Sequence, residues 1–285
     1  MKKLSFFPAL VVLSFLYFNA DAQHSADTTK AAGSGVKVAI GIRGGISIPN
    51  LSAGGSDNNP LNTGYSSRSG PDAGIFAEFK FSDLFSLQPM VEYSAQGGKK
   101  DGLQAFPTPA ALAAGFQAEG QPAPTYLYAN ADNTSKINYM LIPILAKFGW
   151  NLGSSPFRVY VDAGPFAGIL LSATQVISNS GGFFIQETSN GKVTYVPLSQ
   201  FSPEAPSNIN SSNNIKSDLH PVNVGFEGNV GFAYKFFNAS HKTTGYIFIE
   251  GGGDYGFLNI QKGTANGKNN IGAGTASIGY AYCFN

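Results

Sequence analysis

From residue 36 onward, apolar and polar side chains alternate with a period of two in segment after segment. This confines the chain to strands whose two faces meet different environments. Residues 36–48 place Val36, Val38, Ile40, Ile42, Ile46 and Ile48 on one face and Lys37, Ala39, Gly41 and Arg43 on the other. Residues 73–81 set Ala73, Ile75, Ala77, Phe79 and Phe81 against Phe76, Glu78 and Lys80. A tight turn at Ser82-Asp83 leads into Phe85, Leu87, Pro89, Val91 and Tyr93, alternating with Ser86, Gln88, Met90, Glu92 and Ser94. Residues 157–173, 222–237, 246–257 and 271–284 repeat the pattern. Residues 137–150 are apolar on both faces through 139–146, with Lys147 placed inward and Phe148 and Trp150 outward.

Segments of about ten residues suit tilted membrane-spanning strands. Their connections alternate long and short, the habit of outer-membrane barrels with long extracellular loops and short periplasmic turns. The expected fold is therefore all-β: an antiparallel up-and-down transmembrane β-barrel over residues 36–285, with eight strands. Residues 183–188 and 192–198 flank Ser189-Asn190-Gly191, a good hairpin turn. They are expected to project from the third outer loop; the alternative makes them two more spanning strands, ten in all. Beyond residue 23 no window holds about eighteen consecutive apolar residues, so only a closed barrel could span a bilayer. At the start, Lys2 and Lys3 precede an apolar run over 4–18, and Ala20-Asp21-Ala22 offers a small-x-small cleavage site. Residues 1–22 read as a cleaved Sec-type signal peptide and 23–35 as a flexible periplasmic lead-in. The destination is the outer membrane of a Gram-negative bacterium.

A soluble barrel also alternates, but with its apolar face inward. Three features favour lipid outside. Phe148, Trp150, Tyr234, Phe236, Tyr280 and Tyr282 gather at strand ends, where interfacial aromatic girdles sit. The loop lengths are systematically asymmetric. Gly164, Gly168, Gly225, Gly231 and Gly279 fall on the polar face, as a crowded interior requires. Composition agrees: charged residues make up 12% of the chain, roughly half the share usual in soluble proteins. A net charge of +1 leaves no electrostatic footprint for nucleic acid.

The inward assignments bring together Lys37, Arg43, Lys80, Lys147, Arg158 and Lys235 with Glu78, Glu92, Asp162, Glu227, Glu250 and Asp254. Unpaired charges in a narrow bore are costly, so a neutral ion-pair network is expected. Eight strands enclose an interior just wide enough for side chains to fill, which implies a bore that does not conduct; a narrow pore for ions or small solutes is the alternative. Chemistry is thinly signalled. His24, His220 and His241 and the single Cys283 are too scattered for a zinc site. His220, near Ser217 and Asp218, reads as a loop histidine before Pro221, with a lipid-modifying hydrolase as the lesser possibility. No catalytic residue, cofactor or metal is expected. The outer loops remain the candidates for contact with an envelope or surface protein. Tyr126, Tyr128, Phe183 and Phe184 could be adhesive, or could pack the loops on one another. Outer-membrane lipid is the one partner the pattern requires, and oligomeric state is left open.

Particular stretches carry a resemblance. Gly41-Ile42-Arg43-Gly44-Gly45-Ile46-Ser47, and Ala73-Gly74-Ile75-Phe76-Ala77-Glu78-Phe79-Lys80 running on to Ser86-Leu87-Gln88-Pro89, resemble the PorT-like outer-membrane β-barrel proteins of Bacteroidetes. So do Tyr139-Met140-Leu141-Ile142-Pro143 with Lys147, and Tyr160-Val161-Asp162-Ala163-Gly164-Pro165. The resemblance runs from about residue 36 to the end and implies a membrane barrel. The role in type IX secretion behind the family name is not carried over. The second and third outer loops look long for the group.

Overall fold

The computed structural model describes residues 36–49, 60–61, 64–179, 181–201, 209–263 and 268–284. The expected signal peptide and lead-in lie outside the described residues. In chain order the strands are β1 (Lys37–Pro49), β2 (Ser66–Ser67), β3 (Gly70–Lys80), β4 (Phe85–Pro107), β5 (Tyr126–Asn151), β6 (Phe157–Asn179), β7 (Phe184–Ser189), β8 (Lys192–Pro197), β9 (Ser211–Asn214), β10 (Val222–Phe237), β11 (Thr243–Gly256) and β12 (Gly272–Phe284). One helix, α1 (Ala110–Ala118), lies between β4 and β5.

Eight of these strands close a ring. The order β1-β3-β4-β5-β6-β10-β11-β12 returns to β1, antiparallel at every step, with Val38 opposite Phe284 at the closure. Closure leaves no open edge to lipid, which is the condition for crossing a membrane with strands. The hairpin β7–β8 stands outside the ring and meets β5 at one pair, Tyr128 opposite Phe184. Its turn uses Asn190 (φ 51°) and Gly191 (φ 74°), the left-handed pair of a type I′ turn. The ten-strand alternative therefore does not hold.

The apolar face points outward. Ile42, Ile75, Val230 and Ile278 are each more than 60% exposed, while Arg43, Glu92, Glu227 and Glu250 beside them are buried. At the short-turn end Phe81, Phe148, Trp150, Phe157, Tyr234, Phe236, Tyr280, Tyr282 and Phe284 form an exposed aromatic belt. Among the described residues no helix is long and apolar enough to span a bilayer; the strands do so. Side-chain caps fix the turns. Ser82 Oγ accepts the amides of Leu84 and Phe85, and Asn238 Oδ1 accepts those of Ser240 and Lys242.

One part of the expected layout is corrected. The second outer connection is mostly strand, because β4 and β5 stay paired from Ser94 opposite Tyr139 out to Pro107 opposite Tyr126. Pairing of β4 with β3 stops at Ser94. Residues 95–107 thus carry β4 beyond the ring by about 40 Å at the usual strand rise. β6 follows as far as Asn179, and β9 adds to its edge. The remaining loop, 108–125, holds α1. Sequence reading missed these extensions because their faces alternate polar with small residues, as in Asn130-Ala131-Asp132.

Candidate functional site

Three layers of side chains fill the bore. The first lies toward the short turns. There Ala39, Phe76, Met90, Leu145, Tyr160, Ala233, Phe248 and Ala281, one residue from each ring strand, form a single apolar cluster. Its rings lie on glycines of the neighbouring strand: Gly41 faces Phe76, Gly231 faces Tyr160 and Gly279 faces Phe248, each a direct cross-strand pair. A Cβ added at these glycines would stand 2.3, 2.0 and 2.2 Å from the ring carbons. The glycines on the inner face are thus the seats on which the aromatic layer rests.

One inward step toward the long loops brings the charged layer. Arg43 Nη2 lies 2.5 Å from Glu92, 3.0 Å from Glu227 and 3.9 Å from Asp72, and Nη1 lies 2.8 Å from Glu250. One guanidinium from β1 therefore engages carboxylates from β3, β4, β10 and β11. Its planar fork offers five donors in fixed directions, against the three of a compact ammonium, and so suits carboxylates arriving from several strands. Tyr160 donates to Glu250 (2.8 Å), and Asn229 donates to Asp162 (2.9 Å) and Glu227 (3.1 Å). Gln96 donates to Asp254 (2.9 Å). Lys147 reaches from the first layer, 3.6 Å from Asp162 and 2.6 Å from Gln88 Oε1, with its ammonium 4.2 Å from the centre of the Tyr160 ring. Glu78 accepts hydrogen bonds from Tyr246 and Ser86.

The third layer closes the long-loop end. Ile137, Tyr139, Leu141, Phe166, Leu170 and Ala173 pack with Leu219, Ile260 and Ile271, and Tyr65 and Ile215 pack against them. Three of the four long connections contribute. The two-faced apolar character of residues 139–146 is thereby explained, since their inward side chains belong to the two apolar layers.

The expected network of six cations and six anions is only partly assembled. Arg43 and Lys147 join Glu92, Asp162, Glu227 and Glu250, whereas Asp254 is held by Gln96 and Glu78 by Tyr246 and Ser86. Lys37 is exposed, Lys80 pairs with Asp83 in the turn (3.2 Å), and Lys235 donates to Asn151 (2.8 Å) at the mouth. Arg158 is buried but makes no ion pair among the described residues. These four sit near strand ends, where period-two parity says inward but cannot say how deep. Asp72, a fourth carboxylate around Arg43, was missed because β3 begins before Ala73. Buried carboxylates at Asp72, Glu78, Glu92, Asp162, Glu227, Glu250 and Asp254 outnumber the buried bore cations Arg43, Lys147 and Arg158. Neutrality is not reached by pairing alone. In the turn, the Asp83 carboxyl is held below its ordinary range, first by the Lys80 hydrogen bond and charge, then by Lys37 and Arg158.

Above the ring the strand extensions carry a second core. Phe116 of α1, Leu127 and Ala129 of β5, Phe183 and Leu198 are buried together, with Phe106 and Phe201 against them. Phe106 meets Phe183 edge-on at 6.2 Å, and Tyr128 meets Tyr195 at 5.1 Å. Phe183 and Tyr128 thus pack the outer segments on one another. His220 is exposed, and the Ser217 hydroxyl donates to Asp218 at 3.2 Å.

Residues 22–262 match the family described as outer membrane protein beta-barrel domain. The chain belongs to that family, and it is an outer-membrane β-barrel protein. Among curated proteins none matches the sequence. Solved structures similar to it include Neisserial surface protein A, 10% identical over 87% of this chain and 97% of that one, with a TM-score of 0.39. Ail of Yersinia pestis, in complex with the heparin analogue sucrose octasulfate, is 10% identical over 87% and 99%, with a TM-score of 0.33. OprG from Pseudomonas aeruginosa is 12% identical over 87% and 97%, with a TM-score of 0.34. With TM-scores below 0.5, the fold rests on the closed ring and the family match.

Proposed function

We propose that this protein is a non-conducting outer-membrane barrel that presents a folded extracellular head to an envelope or surface protein. The observation that carries this reading is the pairing of a bore filled at three levels with strands β4, β5 and β6 that run on to hold a separate apolar core. A conduit needs a continuous wet path, whereas apolar layers flank the charged one here. A head with its own core can hold a contact surface in one shape, which limits the ordering cost of binding. The motifs around Arg43, Glu78 and Asp162 support placement among the PorT-like barrels of Bacteroidetes. The first 22 residues support Sec-dependent export with cleavage before Gln23. No catalytic role is assigned to His220.

Photo-crosslinking on intact cells tests the reading. A crosslinker at Leu103, Val193 or Tyr195, all exposed on the head, should trap a discrete protein species, while one at Lys242 in a short turn should not. Absence of head-specific adducts would contradict the interaction role.

A further inference from the structure

On β5 the outward face is apolar from Trp150 through Phe148, Ala146, Ile144 and Ile142 to Met140, and there it stops: the next outward residues are Asn138 and Lys136. That length of tilted strand spans about 25 Å, the height of the apolar band of outer-membrane barrels. The neighbouring strands end their apolar faces beside it, β4 at Tyr93, the cross-strand partner of Met140, and β6 at Leu171. Tyr93, Met140 and Leu171 thus mark the lipid boundary on the long-loop side.

Cations gather immediately above this boundary. Lys136 is exposed and has no hydrogen bond or ion pair among the described residues. Its cross-strand partner on β6 is Thr174, whose own partner on β9 is Asn214. Two residues on, Lys216 turns back so that its Nζ donates to Leu171 O at 2.9 Å, which sets an exposed ammonium at the boundary itself. Between the two lysines Asn138 donates to Ser172 Oγ at 2.9 Å and forms a polar floor. On the β4 flank Arg68 Nη1 donates to Gln96 O at 3.2 Å, and Gln96 pairs with Ile137, the neighbour of Lys136. Lys262 Nζ donates to Ser217 O at 2.8 Å, beside Lys216. Fewer carboxylates answer them. Asp218 shares the short turn of Lys216 and accepts the Ser217 hydroxyl. Asp101 is paired with Lys99 at 3.4 Å. Asp132 stands about 13 Å farther along β5, away from the membrane. With Lys99 included, cations outnumber carboxylates over this sector, and Asp218 is the carboxylate that lies near the boundary.

We infer that the outer face over β4, β5 and β6 binds a phosphate-bearing lipid of the outer leaflet, its phosphate between Lys136 and Lys216 and its acyl chains on Met140, Ile142, Ile169 and Leu171. A lysine bound to one carbonyl still has two ammonium donors to offer. Its long stem can lie along apolar surface while the charge stays at headgroup height, where cations near an anionic membrane surface are drawn to it. A lipid is the ligand because the cations run without a break into an exposed apolar face: Ile142, Ile169 and Leu171 are each about 40% exposed. A soluble anion would use the charges and leave that face unused. The inference does not depend on a protein partner for the head.

The test uses the refolded full barrel in neutral maltoside micelles, doped with lipid A or with the same lipid stripped of its phosphates, and counts retained lipid by native mass spectrometry. The phosphorylated form should be held more tightly by about tenfold or more, and the double variant Lys136→Gln, Lys216→Gln should lose that margin. Lys136→Arg should keep it, and Lys242→Gln in a short turn at the opposite end should change nothing. Both lysines are exposed, so the gel shift of the folded barrel should survive every substitution. Retention that ignores the phosphates, or ignores Lys136 and Lys216, overturns the inference. So does glucosamine phosphate, which has no acyl chain, if it displaces the lipid at equal concentration, since the site would then be one for a free sugar phosphate.

Discussion

Arg43 on β1 and Glu250 on β11 meet inside the bore, Nη1 to Oε1 at 2.8 Å, and the same guanidinium reaches Glu92 and Glu227 with its other nitrogen. Arg43 is thus the tie between both halves of the ring. Breaking a buried ion pair by removing one partner costs about 3–5 kcal/mol, because the other charge is left uncompensated. Arg43→Gln strands several carboxylates at once and should cost at least that much. Urea unfolding in micelles, read by the gel shift between folded and heat-denatured barrel, measures it. A loss under about 1 kcal/mol would show that Arg43 does not organise the layer.

The glycine–aromatic pairs make a second prediction. Gly231→Ala must displace the Tyr160 ring, which lies 2.0 Å from the new Cβ, and with it the hydrogen bond to Glu250. Overpacking of this kind costs about 1–3 kcal/mol. Gly44 faces lipid and has no atom within 4 Å of an added Cβ, so Gly44→Ala should be close to neutral. Equal effects at the two positions would contradict the assignment of faces.

The head should be separable from the barrel. Phe116→Ala removes a buried ring from the head core, where such truncations cost about 3–5 kcal/mol. Limited proteolysis should then cut within 108–125 while the barrel keeps its gel shift. Simultaneous loss of both would mean that head and ring fold as one unit.

Trp150 is the only tryptophan of the chain, and it sits exposed in the aromatic belt at the short-turn end. In reconstituted vesicles, lipids brominated near the headgroup should quench its fluorescence more than lipids brominated at the chain ends. Deeper quenching, or none, would displace the membrane boundary from this belt.

Legibility in the sequence followed the physics of each signal. Period two exposed the ring, because Ile42 and Arg43 must point to different solvents. It also marked Ser189-Asn190-Gly191 as a turn outside the ring, since Asn-Gly accepts the left-handed backbone that a tight hairpin needs. Depth along the bore was not legible. Lys80 and Lys147 share the same parity, yet one answers Asp83 in a turn and the other enters an aromatic layer. Strand register decides that difference, and register lies in pairings far apart in sequence. The apolar plug was hidden for a related reason. Leu219 and Ile260 come from loops, where no periodicity announces that a side chain turns inward.

The most direct test of a barrel filled from end to end is single-channel recording of the refolded chain from residue 23 onward in a planar bilayer. The account predicts a flat current with no reproducible steps, because apolar layers cross the bore on both sides of Arg43. Stable ohmic openings, with an ion selectivity that shifts in Glu227→Gln, would contradict it and make the charged layer the lining of a pore.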